Sequence, residues 1–445
     1  MWVGVDDTDS PVGGCTTFTL TELVRTARSE GFDLIGEPRL VRLNPNVPWK
    51  TRGNAALSAC FGRGHGRRRD VGVVGGRSVV AFDAGRAASE ALERRLADRL
   101  WESVLATSQR GVEGTDPTLV VVPRRLPAAL YWAAVRRIVD RSEARREIDR
   151  VGGTIRHDGS DRGIVGAAAS LAWPGHHPTW ELIAYRSPTR VGLRRSVDAD
   201  RIRALESEHP GLFLCTDPRT RRLLVAPHTA CPILFGLRST DRVGLPGLLG
   251  QVRSEPVERW MVFVTNQGTG DHLARRDLDA VGPYDSAWVR GRVRDPPVTL
   301  RGGHVQLVVE DAAGHQLSCL AFEPTKTLPA VARSLVPGDR VAIWGGRADD
   351  PTFRVEGIVL EHLRPRFAPA RPPRCPSCHA TTGSMGTGRG YRCRGCRRRF
   401  PPESGRGARR PPEFPTGVYH PTPSARRHLA PRGPGAPRPV RVMDL

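Results

Sequence analysis

Lysine is nearly missing from this chain: Lys50 and Lys326 are the only two among 68 basic residues. A P-loop needs Gly-Lys-Ser/Thr, but Lys50 follows Trp49 and Lys326 follows Thr325. The Val-Ala-Ile-Lys strand of protein kinases is missing as well. If the chain spends ATP, it uses neither of the two commonest phosphate cradles. Long apolar runs are also missing, and none reaches the ~18 residues of a membrane span. The first residues, Met1 to Asp7, show no basic stretch followed by an apolar one. Neither an integral membrane protein nor a secreted one is expected, and a cytoplasmic location is. What is present is 445 residues with 39% hydrophobic content. That suffices for ordinary cores, in three or four domains at roughly 150 residues each.

The charge is lopsided. Formal net charge is +22. From Arg364 to Leu445 there are 18 arginines against Glu403, Glu413 and Asp444, a local net of +15. About two-thirds of the excess therefore sits in the last fifth of the chain. A basic, Pro-rich segment of this kind suits a polyanion whose counterions are released as arginines neutralise phosphates. The plainer reading is a solvated low-complexity tail.

Nine cysteines divide into five scattered (Cys15, Cys60, Cys215, Cys231, Cys319) and four clustered. The cluster runs Cys375-Pro-Ser-Cys378 and, after 14 residues, Cys393-Arg-Gly-Cys396. Two such knuckles can place four thiolates around Zn2+, closing the site for a structural rather than catalytic metal. Such binding supplies roughly 10–16 kcal/mol, enough to fold a small unit lacking a core. The alternatives are two disulfides, which do not suit a chain without an export signal, or a redox pair, seldom doubled at this spacing. Arg389, Arg392, Arg394, Arg397, Arg398 and Arg399, with Tyr391 and Phe400 among them, suit phosphate contact and base stacking.

Along the chain, Trp2 to Val5 reads as a strand running into the acidic turn Asp6-Asp7-Thr8-Asp9-Ser10. Gly13-Gly14 follow, and a helix starts near Thr16-Thr17 with Leu20, Leu23, Val24 and Ala27 on one face. Strands are expected at 34–43 and 55–61, a Gly/Arg-rich break at 63–70, and an inserted module at 71–105. A strand at 119–122 precedes one long amphipathic helix at 128–148. Strand-like runs occupy 164–173 and 180–186. Five short β runs between residues 288 and 360 suggest an OB-type barrel.

Asp6, Asp7 and Asp9 concentrate three carboxylates beside a helix start. That spacing can hold Mg2+ through one or two direct bonds plus water, leaving room for phosphates. Gly13, Gly14 and the helix N–H groups would favour an anion just beyond, with the Thr16 and Thr17 hydroxyls at hand. An Asp-capped turn with N-cap threonines is the blander alternative. Pro11 and the lack of a glutamate at loop position twelve exclude an EF-hand. Two further loops are compatible with phosphate: Asn44 to Asn54, which holds Lys50 and Arg52, and Gly152 to Gly166, which includes Gly163.

The chain resembles the archaeal tRNA 2-agmatinylcytidine synthetases, a family that modifies the wobble cytidine of a minor isoleucine tRNA. The resemblance rests on Val3-Gly-Val-Asp-Asp-Thr-Asp-Ser10, Cys15-Thr-Thr17, Asn46-Val-Pro-Trp-Lys-Thr-Arg-Gly-Asn54, Trp180-Glu-Leu-Ile-Ala-Tyr-Arg186, Pro227-His-Thr229, Cys231-Pro232 and Thr265-Asn-Gln-Gly-Thr269. The β domain, the zinc knuckles and Tyr419 to Arg427 complete it in family order. One departure is that the family carries an acid directly after Gln-Gly-Thr, whereas here Gly270 intervenes before Asp271.

The resemblance implies a multidomain α+β chain. A kinase-like α/β domain (1–60 and 118–195) would be interrupted by a ferredoxin-like one (61–117, with an inserted segment, and 196–280). An OB fold (283–364), a zinc ribbon (370–400) and a basic Pro/Arg-rich tail (401–445) would follow. It also implies that ATP phosphorylates the cytosine 2-carbonyl and that the amine of agmatine displaces the phosphate, leaving AMP and two phosphates. Asp6, Asp7 and Asp9 would hold Mg2+ on the ATP phosphates, with Thr17 matching the family's autophosphorylated residue. Gly13, Gly14, Thr16, Lys50, Arg52, Asn54, Gly163 and Gly166 would surround the nucleotide, and Cys375, Cys378, Cys393 and Cys396 would hold Zn2+. The agmatine pocket should offer a carboxylate and a flat or apolar wall, with Asp158, Asp161 and Asp217 as candidates. His228 and Cys231 read as a rigid turn rather than a catalytic pair. The expected partners are the tRNA and agmatine, with no membrane and no obligatory protein partner. A non-enzymatic RNA- or single-strand-binding protein is the rival reading.

Overall fold

The computed structural model describes residues 1–50, 53–367, 372–405, 409–433 and 435. Its first element is strand β1 (Trp2–Asp6), followed by α1 (Thr16–Ser29), β2 (Asp33–Arg42), β3 (Ala55–Val74), β4 (Arg77–Arg86) and α2 (Glu90–Thr107). Next come β5 (Thr118–Val122), α3 (Ala128–Arg136), α4 (Arg141–Arg150), β6 (Thr154–His157), α5 (Gly163–Ala172) and β7 (Thr179–Tyr185). Finally α6 (Ala199–Glu208), β8 (Ile233–Ser239) and β9 (Arg259–Thr265) complete one nine-stranded sheet, ordered β6-β5-β1-β3-β4-β2-β9-β7-β8.

Alternation along the central strands sorts residues to two cores. Val3 and Val5 on β1, with Leu57 and Ala59 on β3, pack under α1 and α2. Ala56, Val120 and Val122 face α3, α4 and α5 on the other side. Because successive side chains point to opposite faces, Gly4 and Asp6 share the α5 face. A Cβ at Gly4 would lie 2.4 Å from the Ala167 carbonyl oxygen, so only glycine lets α5 approach this strand so closely.

Three local expectations change. Residues 164–172 lie in helix α5, not in a strand; nine of the ten residues of α5 are buried, and a segment apolar on every side shows no period by which to tell the two apart. The expected helix at 128–148 is two, with Asp140 accepting from Ser142 N at 2.8 Å to cap α4. The Gly/Arg-rich stretch 63–70 is no break. It continues β3 against β4, from Arg63 opposite Arg86 to Arg69 opposite Ala81, with a bulge between His65 and Arg68.

Strands 286–293, 305–310, 316–321, 340–347 and 353–362 close into a five-stranded barrel, sealed by the pairing of Val293 with Val309 and of Cys319 with Phe353. Its core is Val289, Leu307, Ile343, Phe353 and Ile358 with helix residues Leu328 and Val331. Of the clustered cysteines, Cys393 ends a strand of a small three-stranded sheet, and the other three lie outside its strands. The chain then turns back. Tyr419 pairs with Ile358 of the barrel, the Gly268 and Gly270 N–H groups donate to His428 O and Leu429 O at 2.8 and 2.9 Å, and Leu429 is buried in the core under α3–α5. Among the described residues, no helix is long and apolar enough to cross a membrane.

Candidate active site

The acidic turn leaves β1 between two cavities. A cleft of about 700 Å³ is lined by Asp6, Asp7, Lys50, Asn54, Arg162 and Gly166, among others. Helix α5 lies directly on the carboxylates. A Cβ at Gly166 would stand 1.7 Å from Asp6 Oδ2, and one at Gly163 would stand 3.1 Å from Asp7 Oδ2. The structure thus brings together Asp6, Asp7, Gly163 and Gly166, which are distant in sequence. Asp6 Oδ1 accepts from Asp7 N at 2.8 Å, and Asp7 takes a positive φ of 53°. Neither carboxylate forms an ion pair among the described residues.

That isolation shows in their ionisation. Burial first, then the negative charge of Asp7, drives Asp6 far above the ordinary carboxylate range. Asp7 is pushed up to about 7 by burial, then by Asp116 and Asp9, with Arg162 pulling the other way. Asp116 is a fourth carboxylate that the sequence did not single out. It follows a featureless loop, and only the fold brings it here, its backbone N–H donating to Asp7 O at 3.0 Å and its Oδ1 accepting from Ser160 N at 3.0 Å. Lys50 lines the cleft with its Nζ on Pro45 O at 2.6 Å and Val47 O at 3.0 Å. Burial, then Arg427 and Arg354, lowers its pKa.

Asp9 turns the other way. Its Oδ1 accepts from Thr16 N at 2.7 Å and Thr16 Oγ1 at 2.9 Å, capping α1. With Thr16 and Thr17 it lines a second cavity of about 440 Å³. Thr17 Oγ1 lies 3.1 Å from Cys15 Sγ. Leu40, Leu57 and Ile183 give this cavity apolar walls, and Arg42, Glu181, Arg238 and His428 give it charge and polarity. Gly53 and Ala55 border it, whereas Asn54 borders the cleft, so the start of β3 divides the two. Gly13 and Gly14 line neither; Gly14 closes the turn against the Thr8 backbone. Arg52 lies outside the described residues.

Cys375, Cys378, Cys393 and Cys396 keep their sulfurs within 4.8 Å of one another, with Cys375–Cys396 and Cys378–Cys393 each at 3.5 Å. Thiolates ~2.3 Å from a tetrahedral centre stand roughly 3.8 Å apart, so the set fits Zn2+. Gly395 N and Cys396 N donate to Cys393 Sγ at 3.3 and 3.4 Å. Burial opposes ionisation of Cys375, yet the N–H groups of Cys378 and Ser377 bring it down to about 6.

Comparison with known proteins decides the family. Models of the TiaS TCKD domain, the TiaS FLD domain and the TiaS C-terminal zinc ribbon domain match residues 2–157, 161–272 and 372–404. The tRNA 2-agmatinylcytidine synthetase TiaS of Archaeoglobus fulgidus, named for its isoleucine tRNA, is 34% identical, covering 97% of this chain and 96% of that one. The chain belongs to the TiaS family. The Thermofilum pendens TiaS is 36% identical over 96% of this chain and 93% of its own. Among solved structures, a complex of TiaS with that isoleucine tRNA and ATP superposes with a TM-score of 0.81 at 30% identity, covering 96% of this chain and 95% of that one. A complex of TiaS with the same tRNA, AMPCPP and agmatine gives 0.78 at 29%, covering 97% and 96%.

Other residues singled out on the resemblance to the TiaS family fall as follows. Asp161 pairs with Arg141 and Arg145, Asp158 with Arg110, and Asp217 accepts from Ser424 N at 3.1 Å. Displaced Asp271 is buried, accepting from the Tyr131 hydroxyl. His228 and Cys231 contact different arginines, Arg222 and Arg195.

Proposed function

We propose that this chain is an ATP-dependent ligase that attaches agmatine to the 2-carbon of the wobble cytidine of the minor isoleucine tRNA. ATP phosphorylates the cytosine 2-carbonyl oxygen, converting a poor leaving group into a good one. The agmatine amine then displaces the phosphate, and hydrolysis of the second anhydride bond by water leaves ATP as AMP and two phosphates. The observation that carries this reading is the Asp6–Asp7 pair, two carboxylates with no ion-pair partner among the described residues, beside a cleft roomy enough for a nucleotide. Buried charge is normally paired or holds a metal. A non-enzymatic RNA-binding protein would have no use for this pair.

Asp6 and Asp7 hold Mg2+, with Asp116 beside them. The ion, when bound, offsets charge on the transferring phosphoryl group. Lys50 and Asn54 attend the phosphates from the facing loop, and Gly163 and Gly166 leave room along α5. Thr17, which opens on the second cavity, is the phosphorylated threonine. That cavity takes agmatine. Its methylenes lie along Leu40, Leu57 and Ile183, and its guanidinium meets Asp9 or Glu181, the two carboxylates among the lining residues. The division at Gly53–Ala55 is where cytosine sits between nucleotide and amine.

The domain reading is a kinase-like domain split by a ferredoxin-like one, then an OB fold and a structural zinc ribbon. Barrel, ribbon and the basic C-terminal segment grip the tRNA, offsetting the few kcal/mol of unstacking the wobble base. The setting is the cytoplasm. Incubation with ATP, labelled agmatine and an isoleucine tRNA transcript tests the reading. Label in the RNA is expected, and ATP cleavage without RNA labelling would refute it.

A further inference from the structure

His428 belongs to the segment that returns from the zinc ribbon, and its ring opens into the second cavity. The residue is exposed, and it is among those lining that cavity, beside Gly53, where a Cβ would stand 3.5 Å from Nε2. The backbone on either side is fixed. His428 O accepts from Gly268 N at 2.8 Å, Leu429 O accepts from Gly270 N at 2.9 Å, and Arg432 N donates to Gly268 O at 3.1 Å.

The tautomer follows from the neighbouring amide. Fully buried Gln267 donates through Nε2 to Glu181 Oε2, which turns its oxygen toward His428. An amide oxygen only accepts, so Nδ1 of His428, 3.0 Å away, must be the donor. The proton of the neutral ring is therefore on Nδ1. Nε2 presents its lone pair to the cavity, with no hydrogen bond to it among the described residues. The charged groups that line the same cavity are Arg42 on β2, Arg238 on β8, Arg222, Asp9 and, on β7, Glu181. The positive charge of Arg42 first, with that of Arg238 beside it, holds the histidine well below its ordinary pKa, so the ring is neutral at physiological pH.

Resting on the proposed function, we infer that His428 is the general base for the amine that attacks cytosine. The neutral amine of agmatine gives its lone pair to C2 of the phosphorylated base. The C–N bond forms, the C–O bond breaks, and the phosphate leaves with that electron pair. As the bond forms, the nitrogen becomes strongly acidic, and its surplus proton passes to Nε2 and on to solvent. A weakly basic imidazole suffices for a proton that acidic.

The test uses the full chain with ATP, labelled agmatine and isoleucine tRNA transcript. In His428→Ala, agmatine incorporated per ATP cleaved should fall by about 100-fold or more, the usual scale of general-base loss. Added imidazole should restore at least part of it. His428→Asn keeps a donor for Gln267 but no base, so it should be as impaired as the alanine variant. Incorporation within a few-fold of wild type in His428→Asn, or no response to imidazole in His428→Ala, overturns the assignment and leaves the function standing. A wild-type chain that cleaves ATP without labelling the RNA overturns the function itself, and this inference with it.

Discussion

Glu255 and the Asp6–Asp7 pair are acidic groups placed in the interior of one arginine-rich chain, and the fold treats them in opposite ways. Burial pushes the Glu255 carboxyl up. Hydrogen bonds from Arg186 and Ser196, with Arg190 beside them, more than reverse that and hold it below the ordinary range. Arg186 is itself fully buried, 2.8 Å from Glu255, and is further tied to Leu193 O and Arg194 O. Glu22 with Arg259 and Asp339 with Arg366 are likewise ion-paired. At the first turn, by contrast, α5 lays glycines against the carboxylates, Arg162 forms no ion pair with either among the described residues, and burial holds both above the ordinary range. With 68 basic residues available, the missing partner is a property of the site. Acids that hold the fold are paired within it, and the two for which we propose a cation have no ion-pair partner among the described residues.

Four measurements break or sharpen this contrast. The largest effect is expected from Glu255→Ala, which strands a buried guanidinium; urea unfolding should show a loss of about 3–5 kcal/mol. A loss below about 1 kcal/mol, the worth of an exposed pair, would dissolve the contrast. Asp7→Asn should act with the opposite sign. ATP cleavage should fall ~100–1,000-fold, while stability at pH 7 rises by ~1–3 kcal/mol as an ill-solvated charge is removed.

A pH series separates the two classes further. Asp7 ionises near 7 when folded and at about 3.9 when unfolded. Between those values the folded state holds the extra proton, so this group lowers stability as pH rises from about 4 to about 7. Asp7→Asn should flatten that stretch of the curve in metal-free protein. Magnesium should bind more tightly as pH rises through 7, releasing protons that calorimetry in two buffers would count. The smallest effect is that of Asp116→Asn. Removing a negative neighbour should move the midpoint of that magnesium dependence downward by roughly half a unit.

The residues readable in advance were those whose chemistry is local. Two Cys-x-x-Cys knuckles need only their own turns to face one ion, and three aspartates after a strand concentrate charge in any fold. The five short strands of the barrel carried their alternation with them. The run 164–173 was illegible because burial on every side erases the period that separates helix from strand. Asp271 drew notice in the sequence and Asp116 did not, yet Asp116 stands beside Asp7 and Asp271 is held by Tyr131. His428 looked like one more residue of a basic tail.

By itself, then, the order of amino acids settled which groups exist to do chemistry: the acids of the first turn, the four thiols, and the arginine excess near the C-terminus. Tertiary structure alone decided where each side chain points and what stands next to it. It sent Asp6 and Asp7 to one cavity and Asp9 and Thr17 to another, left the first pair without a bonded arginine among the described residues, and folded the tail back to wall the second cavity. The reason is physical: local patterns act over a few residues, whereas the energy of a charge depends on every group within several ångströms, wherever in the chain it began.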